Sequence, residues 1–409
     1  MNFSKSSFSC RLRQLFGEMM KLGNTIYLDH QATTPLDPRV FSVMTPYYIE
    51  LFGNPHSADH FIGWRTAQAV EEAANKVASL IGSDANEIIF TSGATEANNF
   101  ALLGLGKHYA KSKRRRILVS AIEHKCVLAS CRSLHEQFGY QIELLPVDEA
   151  GFVSVEALNG LLSDDVLLVS IMAVNNEIGT IQDIEALSKP IREHGALFHC
   201  DAAQAPGAID LHDATDFVDL LSISGHKIYG PQGIGALYIS RDLHSHIEPI
   251  IYGGGQQQGL RSGTAPVALC VGIGEAAALL NATETAEQYT TALRNRRDKF
   301  VQKLLDLPWP ITMNGPKSDS RHPGNANICF KGFSAHDILS SLQPYLAAST
   351  GSACTSGTPE PSHVLRAIGL SNEDAESSIR FSIGRNTTDA DLEESIHLIR
   401  KCLSELCNA

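Results

Sequence analysis

Five short stretches put chemically capable side chains beside turn signals. In SGHKIYG, Lys227 follows the apolar run DLLSIS, and in LFHCDAAQ, Asp201 ends a second such run. FTSGATEANN sets Ser-Gly-Ala-Thr between an apolar run and a helical pattern, and AIEHKCV puts His124 just past another run. The fifth, STGSACTSGTPEPS at 349–362, surrounds Cys354 with Ser, Thr, Gly and Pro. Those residues supply turns and solvated backbone rather than core, whereas an unpaired Cys is ordinarily a buried small hydrophobe. Each stretch also has an ordinary reading. Lys227 is then a surface lysine at a strand end, Asp201 a helix N-cap, His124 a capping or core residue, and Asn176 in VNNEIG a turn residue.

The combination points to one chemistry. A lysine at the end of a buried strand is expensive to desolvate unless it is used, and its natural use is a Schiff base with a carbonyl partner. An acid at a neighbouring strand end can keep a pyridine nitrogen protonated, which makes the ring an electron sink. Backbone N–H groups of Gly93, Ala94 and Thr95, with the Thr95 hydroxyl, can cradle a phosphate at a helix start. Lysine, acid and phosphate cradle together are what pyridoxal phosphate requires.

The elements that must position these residues alternate. EIIFTS, RRILVSAI, QIELLPV, VLLVSIMAV, ALFHCDAAQ and FVDLLSISGHK read as strands. TEANNFALLGLGKHYA, HKCVLASCRSLHEQF and IEALSKPIREHG read as the helices between them. Such alternation predicts βαβ units and a largely parallel sheet, with ligands beyond the carboxyl ends of the strands. After residue 280 the texture changes to a long charged helix, then NANICFKG, the Cys354 loop and SSIRFSIGR, a smaller α+β unit. The last helix carries Leu392, Ile396, Ile399, Leu403 and Leu406 on one stripe, with Thr388 as its N-cap and Asp391 three residues on. The expected division is an extension over 1–23, disordered or preceding the true start, a large domain over 24–280 whose first residues pack on the small one, and a small domain over 281–409.

Composition narrows the function further. The 409 residues are 43% hydrophobic and 19% charged, an ordinary globular balance for a chain too long for one core. A formal net charge of −12 argues against direct nucleic-acid binding. The basic run KSKRRR at 111–116 reads as a solvated loop before a strand, with a docking patch as the alternative. No run of 18 apolar residues exists, so no membrane span is expected. The nine cysteines match neither a disulfide framework nor a zinc spacing, which points to free thiols in the cytoplasm and no metal.

At this point the chain resembles the NifS/IscS-type cysteine desulfurases, in the class V branch of fold-type I pyridoxal-phosphate enzymes. The matching stretches are YLDHQATTPLDPRV, FGNPHS, FTSGATEANN, EHK, SIMAVNNEIG, HCDAAQ, SGHKIYGPQGIGALY, RSGTAP, GSACTS and SSIRFSIGR, in family order over residues 26–385. The resemblance implies a large domain with a mainly parallel seven-stranded sheet and a smaller α+β domain. It makes Lys227 the Schiff-base lysine, Asp201 the partner of the pyridine nitrogen, and His124 the ring-stacking acid/base. Asn176 and Gln204 become cofactor and substrate-side contacts. Ala94, Thr95, Ser224 and His226 become the phosphate cup, and Arg380 the clamp on the substrate carboxylate. Thr264 becomes a phosphate contact given by the partner subunit, which implies a homodimer. Cys354 then takes sulfur from L-cysteine as a persulfide, leaving alanine, and passes it to acceptor proteins, an iron–sulfur scaffold among them. Either Lys227 or His124 removes the α-proton. The chain has DAAQ where the family often has Asp-Ala-Thr-Gln, losing one hydroxyl at Ala203. Two other readings share parts of this pattern: a selenocysteine lyase or other class V aminotransferase, and a non-catalytic protein that carries the cofactor.

Overall fold

The computed structural model describes residues 23, 25–281, 283–351 and 361–408; Cys354 lies outside them. Seven strands form the main sheet: β2 (Ile88–Thr91), β3 (Arg116–Ser120), β4 (Gln141–Leu145), β5 (Val166–Ser170), β6 (Leu197–Asp201), β7 (Leu220–Ser224) and β8 (Gly235–Ile239), after a short β1 (Ile26–Tyr27). Their order is β2-β8-β7-β6-β5-β3-β4. The five strands from β7 to β4 run parallel, and β8 alone is antiparallel to both neighbours. This is the largely parallel sheet that the alternating pattern predicts, with the seven strands that the resemblance implies.

Strands β5, β7 and β8 are buried at every residue, as continuous apolar runs covered on both faces must be. Successive residues of β3 go to different cores: Leu118 packs with Val77, Phe90, Phe198 and Ile273, while Ile117 and Val119 pack with Phe100, Val127 and Leu134. The helix Phe61–Ile81 lies against the helix Val267–Leu280, and Ala94–His108 against Lys125–Phe138. The sheet is thus sandwiched between helices, and the ends of β3, β5, β6 and β7 carry Ser120, Ser170, Asp201 and Ser224 to one edge.

A third core gathers Phe300, Ile328, Phe330, Phe381, Ile396 and Leu403 around a second sheet of β9 (Ile311–Met313), β10 (Asn325–Phe330) and β12 (Ser378–Ser382), antiparallel in the order β12-β10-β9. Strand β1 pairs parallel with β11 (Leu346–Ala347), and Leu28 joins this core. The segment from Ile26 therefore begins in a separate two-stranded sheet, meets β12 through the Asp29–Ser382 bridge, and continues to the edge of the large sheet, where the Gln31 and Ala32 carbonyls accept from Lys227. The last helix, Asp389–Cys407, starts as its spacing predicts, with the Thr388 side chain and Asp391 forming a capping box.

The basic run is a loop leading into β3 with Lys111 and Lys113 exposed, as expected, but its three arginines are tied to neighbouring elements. Arg114 donates to the Val166 carbonyl (2.7 Å) and the His194 carbonyl (3.0 Å). Arg115 donates to the Ala110 and Phe138 carbonyls, and Arg116 pairs with Glu143 and Asp165 across the strand ends. Burial of neighbouring carbonyls without other donors turns these arginines into ties between elements.

Candidate active site

The carboxyl edge of the large sheet and the small sheet enclose a chamber of about 510 Å3. Ala94, Thr95, His124, Asn176, Asp201, Gln204, Ser224, His226, Lys227 and Arg380 all line it. The structure thus brings together every residue singled out in the sequence except two. Thr264 is exposed and outside the chamber of its own chain, and Cys354 lies outside the described residues.

The Asp201 end is built from the large sheet. Asp201 closes β6 and is 3% exposed. No helix starts there, so it is not an N-cap. Its Oδ1 accepts from the Ala203 N–H (2.9 Å) and its Oδ2 from Asn98 Nδ2 (2.7 Å). A second carboxyl, Glu123, is fully buried beside it and accepts from the Met172 N–H, while its Oε2 finds no partner among the described residues. Burial, reinforced by the Asp201 charge, pushes Glu123 well above the usual carboxyl range, which favours its protonated form.

His124 caps a helix, as its ordinary reading has it, and also lines the chamber. It is the N-cap of Lys125–Phe138, and its Nδ1 accepts from the Cys126 N–H at 3.2 Å. A backbone N–H can only donate, so in the neutral ring the proton sits on Nε2. The Cys126 thiol lies 3.0 Å from the same Nδ1 and lines the chamber, a neighbour that sequence reasoning missed.

Lys227 ends the one-turn 3-10 helix Gly225–Lys227 directly after β7. Its Nζ donates to the Ala32 carbonyl (2.7 Å) and to the Gln31 carbonyl. Gln204 Nε2 also donates to the Gln31 carbonyl (2.9 Å). Residues 31–33 had no assigned role in the sequence, because a backbone carbonyl leaves no side-chain signature. His226 contacts Thr33 Oγ1 (3.1 Å), and burial, then the Lys227 charge, lowers its pKa to about 4, leaving it neutral.

The expected cofactor fits on observations of these residues. The helix Ala94–His108 begins without a side-chain cap, at Gly93 with φ 149° and open space where a Cβ would be. Its first N–H groups are therefore available to an anion. Ser224 Oγ, 1% exposed, has no partner among the described residues. An amine, an anion acceptor and a buried carboxylate line one chamber in the number and kind that pyridoxal phosphate uses.

The opposite end is built from several segments. Arg380 on β12 is 4% exposed. It donates to the Asn176 carbonyl (2.8 Å), Asp29 Oδ1 (2.7 Å) and Ser349 Oγ (2.9 Å), and its Nε has no partner among the described residues. Both flanks of the Cys354 segment reach the chamber, since Gly351 and His363 line it. Gly351 has φ 83°, a conformation that favours glycine, and a Cβ there would sit 3.2 Å from the Glu177 side chain, which would have to give way slightly. On the other flank Ser362 donates to Glu177, and His363 Nε2 lies 2.9 Å from the Glu123 carbonyl.

All seven described cysteines are free. Cys131, Cys200, Cys270, Cys329 and Cys402 are buried, and burial raises each thiol pKa, to about 12 for Cys131 and Cys270. Among the described residues no three His, Cys, Asp or Glu side chains form a metal site, and no helix is long and apolar enough to cross a membrane.

Comparison with known proteins agrees with this geometry. The family model for aminotransferase class-V matches residues 26–394. The chain is 47% identical over 381 residues to the cysteine desulfurase IscS of Rickettsia bellii, covering 93% of this chain and 92% of that protein. The solved structure of a NifS-like protein superposes with a TM-score of 0.85 at 33% identity, covering 93% of this chain and 99% of the other. A structure of SspA in complex with cysteine gives a TM-score of 0.77 at 34% identity over 89% of this chain and all (100%) of that one.

Proposed function

The chain belongs to the class-V aminotransferase family and is a pyridoxal-phosphate-dependent cysteine desulfurase, and from that premise we propose how its own residues divide the work. The observation that carries the assignment is the convergence of Lys227, Asp201 and His124 with Arg380 and both flanks of the Cys354 segment on one chamber. Bound pyridoxal phosphate supplies an electron sink for bond-breaking at the substrate α-carbon.

Arg380 binds the carboxylate of L-cysteine, its guanidinium already aimed by Asp29 and Ser349. Gln204 and Asn176 would orient ring and substrate, while Ala94, Thr95, Ser224 and His226 would hold the phosphate. Asp201 would supply the negative charge that keeps the pyridine nitrogen protonated. Lys227 would anchor the cofactor, and its amine takes the α-proton. The capped His124 favours this choice of base, because its neutral ring offers Nε2–H as a donor rather than a lone pair. The Cys354 thiolate attacks the substrate sulfur. L-cysteine and the Cys354 thiol become L-alanine and a Cys354 persulfide, with atoms and electrons conserved. Cys354 is three residues beyond Gly351, a span of at most about 11 Å, which supports its access to the chamber.

Homodimerisation is part of this reading. Tyr48, Ile49, Phe52, Phe61, Trp64 and Tyr252 are exposed apolar side chains, and the exposed Thr264 suits a contact to the partner's cofactor. An active monomer in light scattering would exclude it. We also read 24–280 and 281–409 as two domains around their separate cores, a cytoplasmic site of action, and delivery of sulfur to acceptor proteins such as an iron–sulfur scaffold.

The test is mass spectrometry after adding L-cysteine, with alanine measured in parallel. Wild type accumulates a persulfide on Cys354, Cys354→Ser binds the cofactor yet forms none, and Cys126→Ala behaves as wild type in persulfide position. A persulfide on Cys126, or undiminished turnover in Cys354→Ser, overturns the assignment.

A further inference from the structure

Behind Asp201 runs a chain of side chains that the reaction as described does not use. Ser170 Oγ lies 2.8 Å from His199 Nδ1, and His199 Nε2 lies 3.2 Å from Asn98 Oδ1. Asn98 Nδ2 reaches Asp201 Oδ2 at 2.7 Å and Cys126 Sγ at 3.3 Å. Ser170, His199 and Asn98 have no exposed surface. Such a chain has to be internally consistent, because water does not reach its members to repair a wrong pairing.

Ser222 Oγ, 3.5 Å from His199 Nε2, can donate or accept and so fits either ring tautomer. With one proton on the His199 ring, two arrangements pair Ser170, His199, Asn98 and Asp201 consistently. In the first, His199 carries its proton on Nε2 and donates to Asn98 Oδ1. The Asn98 amide then turns its Nδ2–H groups toward Asp201 and Cys126. Asp201 is an anion, the sulfur accepts, and the Cys126 S–H is left to donate to His124 Nδ1. In the second, His199 is protonated on Nδ1 and the amide is reversed. Asn98 Oδ1 would then face Asp201 at 2.7 Å, and Asp201 would have to carry the proton. The proton position on His199 therefore fixes the charge of a residue two hydrogen bonds away. The other titratable groups facing Asp201, Glu123 and Cys200, are both held neutral by burial, so neither competes for that role.

We propose that Asn98 is the positioning residue of the chamber, oriented by His199, and that it holds Asp201 as a hydrogen-bonded carboxylate. The polarity runs one way, from Ser170 through His199 to Asn98, and divides there toward Asp201 and the Cys126 sulfur. His199 is itself neutral, burial lowering its pKa to about 4, so it has a single proton to place.

This inference rests on Asp201 serving the cofactor, and the experiment separates the two. The dissociation constant for pyridoxal phosphate is read from visible absorbance in wild type, Asp201→Asn, Asn98→Ala, His199→Gln and His199→Leu. Asn98→Ala raises it about 10–100-fold, the loss of one hydrogen bond to a charged group. Gln at 199 keeps an amide donor at the ε position and stays within about threefold, whereas Leu at 199 loses about tenfold. If Asp201→Asn binds like wild type, the cofactor role of Asp201 fails. If Asp201→Asn is defective but Asn98→Ala is not, or if Gln and Leu at 199 are equally harmful, the positioning chain alone is wrong. His199→Gln keeps the test open should Asn98→Ala not fold.

Discussion

At one end of the chamber Asp201 is held by Ala203, two residues away, and by Asn98 on a helix packed against the same sheet. At the other end Arg380 is held by Asn176, Asp29 and Ser349, which come from three separate parts of the chain. The first end is complete as soon as the large sheet and its helices form. The second exists only where the N-terminal segment, the small sheet and the turn after β5 meet. A cofactor that stays bound is served by the rigid end, and a substrate that enters and leaves by the composite one.

Removing the covalent anchor breaks the rigid end outright. Lys227→Ala should lose the visible absorbance of the anchored cofactor, with turnover falling by about 10²–10⁴-fold or more, the typical contribution of proton transfer alone. Normal alanine production by that variant would deny Lys227 its role. Next in size comes the composite end. Arg380→Lys keeps the charge but not the planar fork, and should raise KM for L-cysteine about 10–100-fold with cofactor affinity nearly unchanged. Asp29→Asn leaves an acceptor in place for Arg380 and should raise KM only about two- to fivefold, because one neutral hydrogen bond replaces a charged one. If either substitution changed cofactor affinity as much as KM, the two ends would not be independent.

The same contrast explains what was legible in the sequence. Lys227, Asp201 and His124 were readable because a parallel sheet forces strand-end residues together, so position along the chain predicts position in space. Arg380 was readable only through family resemblance, since nothing local in SSIRFSIGR predicts Asp29 as its partner 351 residues away. Gln31 and Ala32 act through backbone carbonyls, which no residue type announces. Asn98 and His199 sat within quoted motifs but looked like ordinary helix and strand residues, and only their mutual distances give them roles. Cys126 was given no role within a stretch read only as a helix, because a helix start that faces a chamber looks the same in sequence as one that faces a core.

Glu123 offers the smallest effect and the finest test of the rigid end. Two carboxyl groups are buried there, and if the end is built around one negative charge, Glu123 must remain an acid. Its folded pKa lies above its unfolded one. At pH values below the ordinary carboxyl range both states hold the proton, and folding is not affected. As pH rises through that range the unfolded chain releases the proton while the folded chain keeps it, so stability falls. Gln is nearly isosteric with the protonated acid and has no proton to release. Glu123→Gln should therefore change Tm little near pH 5 and raise it by a few degrees, about 2–4 °C for each kcal/mol gained, near pH 8. Its amide still offers the carbonyl oxygen that accepts from the Met172 N–H. Thermal unfolding of both proteins across pH 5–8 measures the difference directly. A Gln variant that is less stable by the same amount at every pH would mean that Glu123 is ionised, and that this end of the chamber holds two charges.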